Sequence, residues 1–259
     1  MNIDFHVHGL ISKRKEFNSR FLLSEIQVAK DSGIDALVLC EHYNAIEYYN
    51  IYNFLRDNYV YEGNRYIVDG VSIFPAMEVS VKGKGHVIVI SERDSIIEIR
   101  KQLEYNIDRN EHIAFKELLD MADSYNAIKI GAHPCRRGHR LCKQDDELLK
   151  RLDAIDLNGK DIYRKGRELT IEELTEISDR LELNIITGSD SHTPLQLGGI
   201  YTTLNRECTT IEELRSCIRE KDYSININSS LEFRVYTSKI LKRYLVRLEN
   251  YNKDFDFKI

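Results

Sequence analysis

The chain opens with NIDFHVH at residues 2–8, an apolar strand-like run that ends in two histidines separated by one residue. The same arrangement recurs in ALVLCEH at 36–42, FPAME at 74–78 and IITGSDSH at 185–192, where His, Asp or Glu follows each apolar run. Short runs rich in Ile, Val and Leu are typical of buried strands. Because the carboxyl ends of parallel strands meet at one rim of a barrel, we expect these polar side chains to gather there.

Segments with helical periodicity separate the strand-like runs. We predict strands near residues 2–7, 35–40, 66–69, 72–78, 86–91, 127–132, 154–157 and 184–188. We predict helices from Phe21 to a stop at Gly33 and over 44–57, 112–125, 145–152, 170–182 and 210–219. Two of these helices should begin with capping boxes, at Thr170 and Thr210, because a Glu follows each Thr three residues later.

Alternation of strands and helices implies parallel strands joined by crossover helices, and the length of the chain suits one barrel better than two domains. We therefore predict a single α/β domain over residues 1–259. It would include a terminal helix at about 229–250, which carries apolar residues interleaved with Lys and Arg. Packing on the barrel fits this helix better than a membrane surface, because its charges are mixed.

Composition describes an ordinary soluble protein, with 42% hydrophobic and 31% charged residues among 259. No apolar run approaches the roughly 18 residues of a membrane span, and no signal-like segment follows Met1, so we expect a cytoplasmic protein without membrane contact. The five cysteines include no CxxC pair, which favours reduced thiols.

A net charge of −5 disfavours binding to extended nucleic acid. The stretch 133–143 is a local exception, because Arg136, Arg137, Arg140 and Lys143 stand there beside two histidines. Such a patch could hold a single phosphate. The charges fit a solvated loop equally well.

The spacing of the polar residues points to metal binding. Residues two apart in a strand face the same way, so His6 and His8 can bind one ion, and Asp190 with His192 repeats the spacing. Six of the eight histidines fall in or beside predicted strands, whereas His112 and His139 have the scattered positions of ordinary surface histidines. Imidazoles mixed with carboxylates suit Zn, Mn or Fe rather than Ca.

The ordered motifs resemble those of the PHP family, the polymerase and histidinol phosphatase family of metal-dependent phosphoesterases. They are H-x-H (His6, His8), Glu41-His42, P-x-x-E (Pro75 to Glu78), Gly85-His86, A-H-P (132–134) and G-S-D-x-H (188–192). The resemblance extends from residue 2 to about 205 and is greatest to the small stand-alone members. It implies a distorted (β/α)7 TIM-like barrel with two or three metal ions at the C-terminal rim of the strands.

The resemblance also assigns ligands to each ion. The first ion would be held by His6, His8, Glu78 and Asp190, the second by Glu78 as a bridge with His86 and His133, and the third by His42 and His192. The family places an Asp five residues after the second histidine, and this chain has Lys13 there, which predicts two tightly bound ions and a weakened third. Glu41 stands where Asp is more usual, and we expect it to form an ion pair at the rim, with Lys13 in reach.

The implied reaction is hydrolysis of a phosphate ester. Two ions about 3.5–4 Å apart lower the pKa of a shared water, so the chain itself need not supply a nucleophile. We expect Asp190 and Glu78 to be catalytic as ligands, and His192 or water to protonate the leaving alcohol. The predicted substrate-binding residues are Arg136 as a bidentate phosphate ligand, Arg137 or Arg140 beside it, Lys13 as a substitute cation, and Asn158, which fits a structural hydrogen bond equally well.

Three functions compete on this evidence. The leading one is a phosphomonoesterase acting on a small phosphorylated metabolite, such as histidinol phosphate or a nucleotide. A 3′-to-5′ exonuclease or oligonucleotide phosphodiesterase is the second, since the same ions can serve a diester, although the charge counts against it. The third is a metal-binding scaffold whose catalysis has decayed, suggested by Lys13. The substrate, the metal and the oligomeric state stay open.

Overall fold

The computed structural model describes residues 1–247, which form a mixed sheet with helices packed around it. The strands are β1 (Asn2–Val7), β2 (Ala36–Leu39), β3 (Val60–Glu62), β4 (Arg65–Val68), β5 (Val71–Ser80), β6 (His86–Ile90), β7 (Ile128–Ala132), β8 (Ala154–Asn158), β9 (Asn184–Gly188), β10 (Ile200–Leu204) and β11 (Tyr223–Ile227). The α-helices are α1 (Ser19–Asp31), α2 (Tyr48–Asn58), α3 (Arg93–Gln102), α4 (Phe115–Ser124), α5 (Asp146–Leu149), α6 (Gly159–Lys165), α7 (Arg167–Leu181), α8 (Ile211–Glu220) and α9 (Leu231–Arg247).

The sheet runs in the order β11-β10-β1-β2-β5-β6-β7-β8-β9. Strands β1, β2 and β5 are parallel, as are β7, β8 and β9, but β6 is antiparallel to both of its neighbours, and β10 is antiparallel to β1. The prediction of parallel strands throughout is therefore wrong at these positions. The segment between Ser80 and His86 is too short for the dozen or more residues that a parallel crossover requires.

The two ends of the barrel sheet meet where β9 comes alongside β1. Just beyond β9, Asp190 donates its backbone N–H to the carbonyl of His6 (2.8 Å), and His8 donates to the carbonyl of Ser191 (3.0 Å). Ser189 donates its N–H to the Asp4 carboxylate at 2.9 Å. These bonds nearly close a barrel of seven strands (β1, β2, β5, β6, β7, β8 and β9), so the predicted distorted TIM-like barrel is confirmed.

Two apolar layers hold the barrel together. The inner layer draws side chains from all seven barrel strands, for example Phe5, Phe74 and Ile130. An outer layer packs the opposite faces of the strands against the helices. Because strand residues alternate between faces, Glu78 follows Phe74 and Ala76 on the inner face of β5. Polar side chains thus form the last inner layer at one end of the barrel.

Most predicted elements are present, and the exceptions have local causes. The capping box at Thr210 is confirmed, with its partner Glu213. The one at Thr170 is wrong: α7 begins at Arg167, and the Thr170 hydroxyl instead donates to the carbonyl of Gly166. The sequence pattern missed five elements, namely β3, β10, β11, α3 and α6.

Helix α9 covers Leu231–Arg247, inside the predicted range of 229–250, and the last three residues of that range lie outside the part described. Among residues 1–247, none of the helices is both long and apolar enough to cross a membrane.

Candidate metal centre

All eight predicted metal ligands lie at the same end of the barrel. We call them the ligand cluster: His6, His8, His42, Glu78, His86, His133, Asp190 and His192. Because β6 runs antiparallel, its first residue, His86, stands opposite Ser80 at the end of β5 and thus at the same rim. The antiparallel strand β6 therefore contributes a predicted ligand from its first residue, whereas the parallel strands contribute theirs from their carboxyl ends.

Glu78 is the centre of the ligand cluster. Its Oε1 lies 2.8 Å from His86 Nδ1 and 3.0 Å from His133 Nε2. Its Oε2 lies 2.9 Å from His42 Nδ1. Only 2% of the residue is exposed, so the carboxylate is shared among imidazoles rather than hydrated. This is the position expected of a carboxylate that bridges two ions.

The second carboxylate, Asp190, approaches the histidines of β1. His6 Nε2 and His8 Nε2 lie 3.3 Å apart, and Asp190 Oδ1 is 3.4 Å from the latter and 3.9 Å from the former. Both histidines are fully buried. The H-x-H motif therefore presents two Nε2 atoms and a carboxylate oxygen to one point.

Ligand atoms within 4.8 Å of one another form three overlapping groups. They are His6, His8 and Asp190; His6, Glu78 and His133; and His8, His42 and His192. The first contains three of the four ligands predicted for the first ion, without Glu78, and the second contains two of the three predicted for the second ion, with His6 in place of His86. The third shows that His8 lies within reach of the predicted third ion.

The charges in the cluster suit cation binding. Burial would raise the pKa of Glu78, but the charges of His86 and His42 hold it well below its ordinary value. Burial likewise opposes ionisation of Asp190, yet Lys160 and Arg136 hold its pKa well below the usual range. Both carboxylates are therefore negatively charged at neutral pH.

The imidazoles divide into two kinds. Burial, together with the charge of Arg136, holds the pKa of His133 well below its ordinary value, and burial with Lys160 does the same for His192. These two rings are neutral and keep a lone pair for an ion. Burial would lower the pKa of His8, but hydrogen bonds with Asp190 and Glu41 raise it to about 9.

The residues fit divalent transition-metal ions. The donor set combines six imidazoles with two ionised carboxylates, a mixture that suits Zn, Mn or Fe. His133 Nδ1 is buried without a hydrogen-bond partner, and the ligand atoms of each group lie within 4.8 Å of one another, a spacing at which one ion can bind all three. An ion would satisfy both observations.

Asp156 orients His6, the first predicted ligand, a role that sequence patterns did not reveal. Its Oδ2 accepts the His6 Nδ1–H at 2.9 Å and an Asn158 Nδ2–H at 2.8 Å. With Nδ1 protonated, His6 Nε2 presents its lone pair to the cluster. Asn158, predicted to orient a ligand or substrate, thus acts on a ligand through Asp156.

Arg136 and Lys160 surround Asp190. Arg136 donates from Nη1 to Asp190, from Nε to Asp161 and from Nη2 to Asn158, each at 2.7 Å. Lys160 donates to Asp190 Oδ1 at 2.8 Å and lies 3.2 Å from His192 Nδ1. The Arg136 guanidinium therefore already donates to three protein acceptors and positions Asp190. The predicted bond from Arg136 to a substrate phosphate stays a prediction.

The other two arginines of that loop are exposed. Arg137 lines the cavity above the cluster, whereas Arg140 is not among the residues that line it. Their predicted roles in substrate binding likewise stay predictions.

Two ligands have backbone conformations that side-chain-bearing residues rarely adopt. The φ angle is +34° at His133 and +56° at Asp190. Such strained positions persist where the surrounding structure enforces them, and they concentrate at functional sites. Here both lie just beyond barrel strands, where the chain turns its side chain towards the cluster.

Glu41 lies at ion-pair distance from His8 and not from Lys13, the partner that the sequence had placed within its reach. Glu41 is fully buried, and its carboxylate accepts the backbone N–H groups of Leu10 and His42, each at 2.9 Å. Its bond to Leu10 holds the loop after β1 in place, and Glu41 Oε1 lies 3.6 Å from His8 Nδ1. Lys13 lines the cavity and donates to Asn44 Oδ1 at 3.3 Å. Lys13 and Glu41 therefore have different hydrogen-bond partners.

The cluster forms the floor of a cavity of about 1430 Å³. Ten lysines and arginines line it, against three carboxylates, of which two belong to the ligand cluster. The cations come from the loops after β1 and β7, the β5–β6 turn, α6 and α9. His112 and His139 line it as well; His139 is exposed, as expected of a surface histidine, His112 is half-buried, and the His139 ring is 4.4 Å from that of His86.

Sequence comparison finds a match to the family model described as PHP_C, PHP-associated, over residues 173–223. No functionally curated protein is significantly similar in sequence.

Three solved structures share the fold. PsfC from Pseudomonas syringae PB-5123 superposes with a TM-score of 0.78 at 22% identity, over 94% of this chain and 98% of that one. The lesion-specific endonuclease PfuEndoQ from Pyrococcus furiosus gives 0.62 at 19% identity, over 86% of this chain and 57% of its own length. A two-domain protein from Bacteroides vulgatus, described as containing a predicted PHP-like metal-dependent phosphoesterase, gives 0.56 at 17% identity, over 92% and 69%.

These superpositions establish a common fold, and the family model matches the part of the chain that contains Asp190 and His192. The barrel, the matched segment and the ordered motifs agree, and the resemblance of this chain to the PHP family is thereby confirmed.

Proposed function

We propose that the protein is a metal-dependent phosphoesterase that removes phosphate from a small phosphorylated metabolite. The observation that carries the proposal is the ligand cluster itself, in which two ionised carboxylates and six imidazoles converge on the floor of a cation-lined cavity. Two or three divalent ions, Mn, Zn or Fe, would be held there. When bound, such ions polarise a phosphate ester and supply the nucleophile by lowering the pKa of water.

The chain's own residues prepare the site for this chemistry. Glu78 and Asp190 keep their negative charge because cations and imidazoles surround them. Arg136 and Lys160 fix the direction of the Asp190 carboxylate. His192 is neutral, which favours its role as a ligand over that of a proton donor, so we assign protonation of the leaving alcohol to water.

Cleavage of a phosphodiester is the second candidate, and one observation favours it. The ring of lysines and arginines around the cavity could hold a short oligonucleotide, in spite of the overall net charge. The Pyrococcus furiosus endonuclease has the same fold, although this chain spans little more than half of its length.

A substrate panel separates the candidates. The purified protein would be loaded with Mn, Zn or Fe and assayed for phosphate release from p-nitrophenyl phosphate, histidinol phosphate and nucleoside monophosphates. In parallel, bis(p-nitrophenyl) phosphate and short single-stranded oligonucleotides would be tested as diesters. We expect turnover of monoesters with at least one metal, and greater kcat/KM for diesters would establish the second candidate instead.

Two variants make the panel interpretable. Glu78→Gln removes the central charge and should abolish turnover of every substrate. Glu207→Gln, an exposed glutamate of the β10–α8 loop, is the matched control and should behave like the wild type. If Glu78→Gln keeps both its activity and its bound metal, the proposed function is refuted.

A further inference from the structure

Helices α6 and α9 pack together beside the ligand cluster. A Cβ added at Gly159 would lie 3.2 Å from Leu231 Cδ1, so the two helices approach closely at their N-terminal ends. Farther along, Lys239 Nζ stands 4.7 Å from the centre of the Tyr163 ring. The pair therefore forms one continuous side of the cavity.

One face of each helix lines that side. Lys160, Tyr163 and Arg164 follow the helical spacing on α6, as Val235, Lys239 and Lys242 do on α9. We call these six residues the α6–α9 wall. Four of them are cations and none is a carboxylate.

Three of these four cations make no hydrogen bond or ion pair with a carboxylate of the described chain, although Asp190, Glu41 and Glu25 lie close enough to Lys242 to act on its pKa. Lys160 binds Asp190, but Arg164 and Lys242 make neither a hydrogen bond nor an ion pair with any other residue of the described chain, and Lys239 only faces the Tyr163 ring. Burial, with the charge of Lys160 nearby, lowers the pKa of Lys242 to about 7. Lys160 and Lys242 are half-buried, whereas Arg164 and Lys239 are exposed. Placing two like charges in the half-buried part costs free energy that a bound anion would offset.

The wall extends away from the metal ligands. Lys160 touches Asp190 and His192, whereas Arg164 lies four residues farther along α6, a rise of about 6 Å. A phosphate at the ligand cluster would thus use Lys160, and Arg164 and Lys239 would remain for a separate group, while Lys242 is close enough to Asp190 and His192 to interact with them electrostatically.

We propose that the α6–α9 wall is a second anion subsite and that the substrate carries a further phosphate beyond the one that is hydrolysed. This inference rests on the proposed function and specifies its substrate class. Either a small bisphosphorylated metabolite or a short oligonucleotide with a terminal phosphate supplies that chemistry. An alcohol with a cationic group, such as histidinol, would be repelled by the wall.

The subsite is tested first by binding, without metal. Inorganic pyrophosphate and orthophosphate would be titrated calorimetrically into the metal-free protein and into the double variant Lys239→Gln/Lys242→Gln. We expect pyrophosphate to bind the wild type at least tenfold more tightly than the double variant. Arg243→Gln, an exposed arginine next to Lys242 on α9, is the matched control and should retain wild-type affinity. Equal affinity in the double variant would overturn the subsite.

Kinetics then separate the subsite from the proposed function. For the metal-loaded enzyme, kcat/KM for fructose 1,6-bisphosphate and for the dinucleotide pdTpdT would each be divided by kcat/KM for p-nitrophenyl phosphate. At least one ratio should fall tenfold in the double variant, and the one that falls identifies the source of the second phosphate. Unchanged ratios with active enzyme would refute the subsite alone, whereas inactivity on all substrates would refute the proposed function and leave the pyrophosphate titration to judge the subsite.

Discussion

Replacing Asp156 should weaken metal binding although Asp156 belongs to none of the three ligand groups. Its Oδ2 accepts the His6 Nδ1–H and thereby keeps Nε2 directed at the other ligands. Loss of such an orienting partner typically costs 10–100-fold in metal affinity, which corresponds to about 1.4–2.7 kcal/mol. The structure allows the effect of geometry to be separated from that of charge.

In Asp156→Asn, one amide oxygen can still accept both bonds, because the His6 and Asn158 donors converge on the same Oδ2 atom. Only the negative charge is lost, so we expect the lower end of the range, about tenfold. Asp156→Ala removes both bonds and frees the His6 ring to rotate. We expect the upper end for this variant, about 100-fold.

Affinity would be measured with Zn²⁺ at pH 7 in competition with a chromophoric chelator. The control is Asp153→Asn, since Asp153 precedes the same strand at its other end and binds Lys129 N–H and Arg215. It should leave metal affinity unchanged. An Asp156→Ala protein that binds Zn²⁺ within threefold of the wild type would refute the orienting role.

Four further outcomes are expected. Glu78→Gln should abolish metal-dependent phosphate release yet retain the far-UV circular dichroism, and activity above a tenth of the wild type would contradict its central position. Gly188→Ala should lower the free energy of unfolding in urea by about 1–3 kcal/mol, because the added Cβ would overlap His6 Cβ, and an unchanged midpoint would count against this packing. Lys13→Asp should gain affinity for a third ion in calorimetry, whereas identical isotherms would assign Lys13 to solvent. Because the pKa of Lys242 is lowered to about 7 in the folded protein, the unfolded chain binds more protons than the folded chain above that pH. The free energy of unfolding of the wild type should therefore rise relative to that of Lys242→Gln between pH 7 and 9 in urea titrations. A difference between the two proteins that does not change with pH would contradict the shift.

The ligand cluster was predictable because its members are encoded locally. Each ligand follows or begins an apolar run, and the geometry of a barrel brings strand ends to one rim whichever helices connect them. The position of His86 could be predicted even though the predicted direction of β6 is wrong. A residue at the start of an antiparallel strand reaches the same rim as residues at the ends of parallel strands.

The supporting residues were not predictable, because their roles depend on contacts distant in sequence. Asp156 acts on His6 across 150 positions, and Lys160 acts on Asp190 across 30. Nothing in the segment after Asn158 indicated a helix, since it begins with Gly and has only seven residues. Without α6, no pattern could place Lys160 beside a ligand.

The charge of the cavity shows why a net value is a poor guide to ligands. The chain carries −5 overall, yet the cations that line the cavity outnumber its carboxylates more than threefold. At physiological ionic strength exposed charges are screened over about 8 Å, so an anion in the cavity responds to the lysines and arginines beside it and hardly to carboxylates on the far surface. Five separate segments contribute those cations, and only folding brings them together. Net charge alone is therefore no guide to the charge of a substrate that enters this cavity, and the local excess of cations supports the proposal of a second phosphate.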